Sequence, residues 1–303
     1  MSNLQNLFPR SLQAFYGLVQ GHFERAQPDA RIVVVRERHY RSRPKSLSIN
    51  GLFCKIGRPL LAGHSNTMHG YHDLHPSLIR AATAVSPGSL AALFDVDNTL
   101  IPGEACEVRF FRYLWRRGLV GWHELQRSLV WLLRQGPSLS IHPLRERKVY
   151  LEGKDPSVIE GCAREFFHDE MLRQLSPKGR ERLEAHRQSG HQLILISGAP
   201  DFLITPLAAA LNVPTLFAAR LERVGGHYSG AVTPPLPYGM GKRQLVVSHA
   251  QEKGLELASS FAYGDSPGDT EILALVGYPV VVNPIRGMLR IARERGWPVV
   301  DWK

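Results

Sequence analysis

The chain has 303 residues, of which 44% are hydrophobic and 21% charged, the composition of an ordinary globular protein rather than a low-complexity one. It contains no run of about 18 uncharged apolar residues, which argues against a transmembrane helix. The formal net charge is +10, but residues 1–90 hold eleven Lys and Arg against four Asp and Glu, so residues 91–303 carry only +3. We therefore expect no nucleic-acid partner, whereas this modest positive balance suits a small phosphorylated substrate.

Residues 1–88 form a basic N-terminal extension with a cationic run from Arg36 to Lys45 and only short apolar segments. We expect it to be disordered or to include a non-native start, with Met68 as an alternative first residue. A transit peptide is a further interpretation, because the segment is rich in Arg and poor in acids. The absence of a secretory signal and three scattered cysteines favour a reducing cytoplasm; the cysteines are Cys54, Cys106 and Cys162.

From residue 89 onward, short apolar runs alternate with helical segments. The predicted strands are 90–94, 192–196, 215–218, 260–263 and 280–282, and the predicted helices are 178–189, 201–211, 241–253, 269–276 and 286–295. Ser176-Pro177, Ser266-Pro267 and Asn283-Pro284 predict capped helix starts, and Gly296 predicts a helix stop. This alternation predicts one α/β domain over 89–303, a doubly wound and mainly parallel sheet.

The stretch of about 103–185, between the first two predicted strands, has a different character. It is rich in helix formers and aromatic residues, and no clear strand interrupts it. We interpret it as a helical cap inserted after the first strand and covering the end of the sheet.

Two carboxylates, Asp95 and Asp97, directly follow the first predicted strand. Ligands of an open α/β sheet bind outside the carboxyl ends of its strands. There, one carboxylate can attack phosphorus and the other can act as general acid and base. Taken alone, the pair would equally suit a solvated turn.

Three further groups fall at such positions. Ser197 and Gly198 follow the second predicted strand, where a hydroxyl and backbone N–H groups can bind phosphate, although Ser-Gly is also common in turns. Lys242 opens a predicted helix and can neutralise a phosphoryl group. Asp265 and Asp269 lie four apart at a strand–helix junction, an arrangement suited to Mg²⁺ and also to a capped loop.

These four sets resemble, in order and at strand ends, the four motifs of the haloacid dehalogenase-like (HAD) hydrolases. The resemblance covers roughly 91–303, and the insert and the tail at 280–299 are similar to subfamily IB, the phosphoserine phosphatase-like group. It implies a HAD-like Rossmannoid core in which Asp95 is the nucleophile and a metal ligand. Asp97 would be the acid/base and bind metal through its backbone carbonyl.

The same resemblance assigns the remaining residues. Ser197, with Gly198, and Lys242 would hold the phosphoryl group, Asp265 would complete a Mg²⁺ site, and Asp269 would support both the metal and Lys242. Phosphoserine phosphatases keep a substrate-binding Glu at the offset of Glu104 and a carboxylate-binding Arg in a stretch similar to 144–147, where Arg147 is the better match. Both could equally be surface charges.

The sequence thus predicts a Mg²⁺-dependent phosphomonoester hydrolase of the cytoplasm that forms an aspartyl-phosphate. Phosphoserine is the leading substrate, although Gly268 stands where phosphoserine phosphatases commonly carry Asn. A lipid phosphate such as phosphatidylglycerophosphate is an alternative, because the insert is apolar and aromatic. A second alternative is a catalytically idle binding protein that uses its basic N-terminal arm. The sequence carries no indication of an oligomeric state.

Overall fold

The computed structural model describes residues 88–134 and 143–303, so the predictions for the N-terminal extension lie almost wholly outside the described residues. The strands are β1 Ala91–Asp95, β2 Gln192–Pro200, β3 Thr215–Val224, β4 His227–Thr233, β5 Phe261–Gly264, β6 Tyr278–Val282 and β7 Val299–Val300. The helices are α1 Cys106–Arg116, α2 Trp122–Arg134, α3 Pro143–Glu146, α4 Pro156–Phe166, α5 Pro177–Gln188, α6 Asp201–Ala210, α7 Met240–Lys253, α8 Thr270–Leu273 and α9 Arg286–Arg295. Within these two ranges, no helix has the length and apolarity that crossing a bilayer requires.

The seven strands form one sheet in the order β4-β3-β2-β1-β5-β6-β7. Strand β1 lies in the middle and pairs in parallel with β2 and β5, and parallel pairing continues outward to β3 on one side and to β7 on the other. Strand β4 pairs antiparallel with β3. The predicted doubly wound, mainly parallel α/β sheet is confirmed.

The central strand β1 is apolar up to its last residue because helices cover both faces of a parallel sheet. All five of its residues are buried, and the side chains of the first four alternate between two hydrophobic clusters, one on each face. The ring of Phe94 stacks on Tyr263 of β5 with 4.7 Å between centroids. Burial of a side chain the size of Phe94 contributes about 1.5–3 kcal/mol, so the strand that carries Asp95 is held rigidly.

Two of the three predicted helix caps are present. Ser176 accepts a hydrogen bond from the N–H of Gly179 at the start of α5, and Ser266 forms a capping box with Asp269. The prediction for Asn283 was wrong, because α9 begins after Ile285 and the side chain of Asn283 instead bonds backbone groups of other segments. The predicted stop at Gly296 is confirmed by its left-handed φ of 67°.

The hairpin of β3 and β4 was not predicted. Sequence reasoning ended the third strand at residue 218, whereas β3 continues to Val224. The turn is made by Gly225 and Gly226, with φ of 56° and 82°. A two-residue hairpin turn with positive φ at both positions favours Gly-Gly, so this dipeptide was the available signal.

The described residues of the predicted cap form helices joined by turns, and they contact the edge of the sheet, where Arg147 makes a β-bridge to Ala231. Backbone hydrogen bonds join its last part to β4: Lys148 N donates to Gly230 O at 2.6 Å, Gly153 N to Tyr228 O at 2.8 Å, and Tyr228 N to Lys154 O at 3.0 Å. The boundary of about 103–185 stays a prediction. Within it, α5 contacts β2 and so packs with the sheet.

Candidate active site

Strand register brings the predicted site residues to one edge of the sheet. Asp95, the last residue of β1, pairs with Ile196, so Ser197 comes one residue beyond on the neighbouring strand. Phe94 pairs with Tyr263, so Asp265 follows β5 at the same edge. The carboxyl ends of three adjacent parallel strands therefore carry the nucleophile candidate, the hydroxyl and the second carboxylate.

Lys242 connects this edge to the first turn of α7. Its Nζ lies 2.6 Å from Asp95 Oδ1 and 2.6 Å from Asp269 Oδ1, and all three side chains are buried. The turn before α7 depends on Gly241, where a Cβ would lie 1.8 Å from the carbonyl oxygen of Leu236. A side chain at Gly241 would therefore displace the turn that positions Lys242.

The cluster carries more negative charge than its lysine balances. Asp95, Asp265 and Asp269 contribute three carboxylates against the one ammonium of Lys242, a surplus of two negative charges. Burial, reinforced by Asp269, raises the pKa of Asp95 well above its usual range, and burial with Asp269 raises the pKa of Asp265 to about 7. Burial opposes the charge of Lys242, but Asp269 and Asp95 outweigh it and raise its pKa.

The surplus charge fits a divalent cation. One oxygen from each of Asp95, Asp265 and Asp269 lies within 4.8 Å of the others, and Mg²⁺ prefers a few carboxylates together with waters and phosphate oxygens. Asp269 is already engaged, because Oδ1 accepts from Lys242 and Oδ2 from the N–H and hydroxyl of Ser266. In the described part of the chain, Asp95 and Asp265 each keep one oxygen that accepts no hydrogen bond, and these two would hold the ion.

Two asparagines that sequence reasoning did not assign to the site orient Asp265. Asn98 Nδ2 donates to Asp265 Oδ2 and to the carbonyl of Asn283, both at 2.9 Å, and Asn283 Nδ2 donates to the carbonyl of Asn98 at 2.7 Å. Both have left-handed φ, 55° and 44°, a conformation that Asn tolerates better than most residues. The sequence offered two signals for this role, Asn98 directly after Asp97 and Asn283 directly before Pro284.

Asp97 is not one of the three clustered carboxylates, but its charge contributes to the raised pKa of both Asp95 and Asp265, and its side chain meets the N-terminus of cap helix α1. Its Oδ1 accepts the N–H of Cys106, the first residue of that helix, at 2.7 Å. Burial and the charge of Asp97 raise the pKa of the Cys106 thiol, which stays protonated. The first N–H of α1 therefore orients the side chain of Asp97.

Ser197 is buried in the irregular last part of β2, where the pairing with β3 shifts between Ile196 and Pro200. Its Oγ accepts from the N–H of Ala199 at 3.1 Å, which leaves the hydroxyl hydrogen available to a phosphoryl oxygen. A Cβ on Gly198 would lie 3.8 Å from the carbonyl of Pro237, an ordinary contact. Gly198 is therefore not required by packing.

The two predicted substrate residues are engaged elsewhere. Glu104 forms an ion pair with Arg112. Arg147 Nη2 lies 3.0 Å from Glu152 and 3.3 Å from the carbonyl of Ser229. Arg147 also lines a cleft of about 430 Å³ between α2 and the segment after α3, and none of the clustered carboxylates lines that cleft. The structure does not bring Arg147 to the carboxylate cluster.

A neighbouring arginine that sequence reasoning passed over does approach the cluster. The guanidinium of Arg145 lies over the ring of Tyr238, 3.5 Å from its centroid. Tyr238 packs on the loop that carries Asp269, because a Cβ on Gly268 would lie 2.4 Å from its ring. This contact explains why Gly268 stands where phosphoserine phosphatases commonly carry Asn, because the ring of Tyr238 fills the space that a side chain there would need.

Comparison with known proteins agrees with this geometry. The sequence profile of the haloacid dehalogenase-like hydrolases matches residues 92–274. Phosphoserine phosphatase SerB1 of Mycobacterium tuberculosis is 30% identical over 270 residues, covering 82% of this chain and 87% of its own. Histidinol-phosphatase of Neisseria meningitidis is 30% identical over 223 residues, 70% of this chain and 98% of its own. A solved structure from Bordetella pertussis aligns with a TM-score of 0.62 and 28% identity, covering 71% of this chain and all of that one.

The fold, the cluster at the carboxyl edge of the sheet and these matches define a hydrolase. The chain belongs to the haloacid dehalogenase-like hydrolases. Within that family it is a phosphatase, with a phosphoserine phosphatase and a histidinol-phosphatase among its relatives.

Proposed function

We propose that the chain is a Mg²⁺-dependent phosphomonoesterase that forms an aspartyl-phosphate on Asp95. The observation that carries this proposal is the buried Lys242 held between Asp95 and Asp269 beside Asp265, a cluster with two uncompensated negative charges. Such a cluster is costly unless a cation compensates its negative charge, and the bound cation can in turn accept the oxygens of a phosphoryl group. A solvated Asp-x-Asp turn would need neither burial nor a bridging lysine.

In the first step an oxygen of Asp95 attacks phosphorus, and the bond from phosphorus to the ester oxygen breaks. Asp97 donates its proton to the departing alkoxide, so the alcohol leaves neutral. In the second step Asp97 accepts a proton from water as that water attacks phosphorus. The bond from phosphorus to Asp95 breaks, which releases inorganic phosphate and restores both carboxyl groups.

The phosphoryl oxygens would be held by the hydroxyl of Ser197, the backbone N–H of Gly198 and the ammonium of Lys242. Asp269 keeps Lys242 in place through its 2.6 Å contact. Asp95 and Asp265, with the backbone carbonyl of Asp97, would bind Mg²⁺, which when bound draws charge from the phosphoryl oxygens and orients the attack. Asn98 would fix the direction of Asp265.

For the substrate, we propose a small phosphorylated metabolite of the cytoplasm, with phosphoserine as the first compound to test. The relative named phosphoserine phosphatase SerB1 supports phosphoserine, and the relative named histidinol-phosphatase supports a second small phosphomonoester. A lipid phosphate stays an alternative, because the cap helix α2 exposes Trp122, Leu129 and Leu133.

The test is turnover of p-nitrophenyl phosphate with and without Mg²⁺. We expect activity that requires Mg²⁺, that disappears in Asp95→Asn, and that persists in Asp301→Asn, a matched change at an exposed position. Acid quenching during turnover, followed by peptide mass analysis, should find phosphate on the Asp95 peptide. If the wild-type protein is as inactive as Asp95→Asn, the idle binding protein is the correct description.

A further inference from the structure

The cap helix α2 presents an apolar side to solvent. Trp122, Leu129, Val130 and Leu133 are each at least 40% exposed, so α2 carries four of the ten exposed large hydrophobic side chains found among the described residues. Trp122, Leu129 and Leu133 recur at i, i+7 and i+11, a spacing that places them on one side of a helix. Single exposed apolar side chains are common, whereas a group of this size marks a contact surface.

The opposite side of α2 is attached to the rest of the cap. Glu124 accepts a hydrogen bond from Lys154 Nζ at 2.7 Å, and Arg127 Nη2 lies 2.8 Å from Glu152. Because an α-helix turns roughly 100° per residue, Glu124 lies about half a turn around the helix from Leu133. These two ion pairs therefore hold α2 with its apolar side facing outward.

A basic cleft borders this apolar side. It is the cleft of about 430 Å³ between α2 and the segment after α3, and its lining includes Arg127, Arg134 and Arg147. Glu152 is the one carboxylate among the lining residues, so the lining carries a surplus of two positive charges. Val130 lines the cleft as well, which makes the cleft and the apolar side of α2 one continuous surface.

This combination matches the surface of a bilayer that contains anionic lipid. Helices that lie in the plane of a membrane surface combine an apolar side containing Trp and Leu with Arg or Lys beside it. The apolar side chains enter the headgroup region, and the arginines contact the lipid phosphates. A soluble anion would fill the cleft but leave the apolar side exposed. A second copy of the chain would bring two arginine-lined clefts together, and their repulsion disfavours pairing through α2.

We infer that α2 and the cleft beside it form a docking site for the surface of an anionic membrane, with the helix lying parallel to that surface. The occupant is the bilayer itself, with its headgroup phosphates in the cleft and Trp122, Leu129 and Leu133 among the headgroups. The inference goes beyond the proposed phosphatase activity and does not depend on it, because none of these residues belongs to the carboxylate cluster.

Co-sedimentation of the full chain with vesicles is the test. Vesicles of phosphatidylcholine alone are compared with vesicles of phosphatidylcholine mixed with phosphatidylglycerol, and we expect about tenfold or tighter binding to the mixture. The double variant Leu129→Gln with Leu133→Gln should weaken that binding about 10- to 100-fold, because the exposed parts of the two side chains together amount to about one buried leucine. Arg134→Gln should weaken it about fivefold, the effect of one arginine near an anionic surface.

The controls separate α2 from other cationic and apolar surfaces. The basic run from Arg36 to Lys45 can also attract anionic vesicles, but it is present in every variant, so differences between variants report on α2. Val224→Gln and Arg164→Gln remove an exposed apolar side chain and an exposed charge elsewhere, and both should bind as the wild-type protein does. Urea denaturation checks that the double leucine variant is folded.

Tryptophan fluorescence identifies the contact directly. Lipids brominated in their acyl chains should quench the fluorescence of the wild-type protein more than that of Trp122→Phe, because Trp122 enters the bilayer surface. Equal quenching of the two proteins would place the contact elsewhere and refute the inference. Equal binding to neutral and anionic vesicles, or a double leucine variant that binds as tightly as the wild-type protein, would also overturn it.

Two further measurements distinguish the other outcomes. Sedimentation equilibrium without vesicles tests for a dimer, and a dimer that the double leucine variant dissociates would assign α2 to a second copy of the chain and refute the membrane site. Asp95→Asn should bind vesicles as the wild-type protein does. A chain that binds vesicles through α2 but hydrolyses no p-nitrophenyl phosphate would refute the proposed phosphatase and keep the docking site. Hydrolysis without vesicle binding would do the reverse.

Discussion

The ammonium of Lys242 lies between two buried carboxylates, 2.6 Å from one oxygen of Asp95 and 2.6 Å from one oxygen of Asp269. Lys242 is therefore both the counter-ion of Asp95, the proposed nucleophile, and the link between the first turn of α7 and the loop after β5. Removing the ammonium of Lys242 would leave two buried carboxylates without their shared cation, which should lower the stability of the folded protein.

Lys242→Met should lower the free energy of unfolding by about 3–5 kcal/mol at pH 8, because an uncompensated buried charge remains. Urea denaturation measures this loss. The loss should shrink at pH 5, where the carboxylates, whose pKa values burial already raises, take up protons. Lys253→Met, an exposed position on the same helix, is the control. A loss equal to that of the control would show that Lys242 does not hold the cluster.

Stability of the metal-free protein should fall as pH rises towards 7. The folded pKa of Asp265 is about 7, above its ordinary value of 3.8, so the folded state keeps a proton that the unfolded state loses. The stabilisation of the folded state by this proton is complete below pH 4. It decreases by about 1.4 kcal/mol per pH unit above that and is lost by about pH 7. Added Mg²⁺ should therefore raise Tm at pH 8 far more than at pH 5, and Asp265→Asn should abolish the difference. Equal Tm shifts at both pH values would contradict this account.

A buried histidine should make the protein sensitive to acid. His186 contacts His191 at 2.8 Å and the hydroxyl of Tyr263 at 2.7 Å, and burial lowers its pKa to about 3. In the unfolded state His186 takes up a proton near pH 6.5, whereas in the folded state it stays neutral down to about pH 3. The free energy of unfolding should therefore fall by about 1.4 kcal/mol for each pH unit between 6.5 and 3. Asp265 has the opposite effect, because its protonation stabilises the folded state as the pH falls. Saturating Mg²⁺ suppresses this effect by keeping Asp265 ionised. Under that condition His186→Phe should flatten the slope of unfolding free energy against pH, whereas the exposed His227→Phe should leave it unchanged.

The hydrogen bond from Cys106 N to Asp97 can be removed without changing a side chain in the carboxylate cluster. Cys106 is the first residue of α1 and follows Ala105 at φ −53° and ψ 137°, a conformation that permits a following proline. Cys106→Pro should lower kcat about tenfold or more relative to Cys106→Ala, because Asp97 loses the donor that orients it. Cys106→Ala keeps the N–H and serves as the control. Identical kcat values for the two variants would exclude a role for this hydrogen bond.

The sequence predicted the sheet, and it also predicted which polar side chains would lie close together at one edge, because both depend on local signals. Continuous apolar runs such as β1 predict buried parallel strands, and the polar residues that follow them must meet at one edge. Asp95, Ser197 and Asp265 were singled out in this way, and the structure brings them to that edge. Lys242 was singled out as opening a predicted helix, and its ammonium contacts Asp95 there.

The substrate residues could not be predicted in the same way. Arg145 and Arg147 lie two residues apart in one short segment, and nothing in their sequence spacing shows which one finds an ion-pair partner. Arg147 pairs with Glu152, an acid that nothing in the sequence distinguishes from its neighbours. Arg145 stacks on Tyr238, which is distant in sequence. Glu104 at the expected offset was likewise taken up by Arg112, a local pair that the motif does not reveal.

The three backbone hydrogen bonds between the 148–154 segment and β4 have a mechanical consequence for access to the site. A cap joined to the sheet only by its two chain connections could move as a separate body. This cap is also hydrogen-bonded to the β3–β4 hairpin at the edge of the sheet. Any outward movement of the cap must therefore either break these hydrogen bonds or carry the β3–β4 hairpin with it.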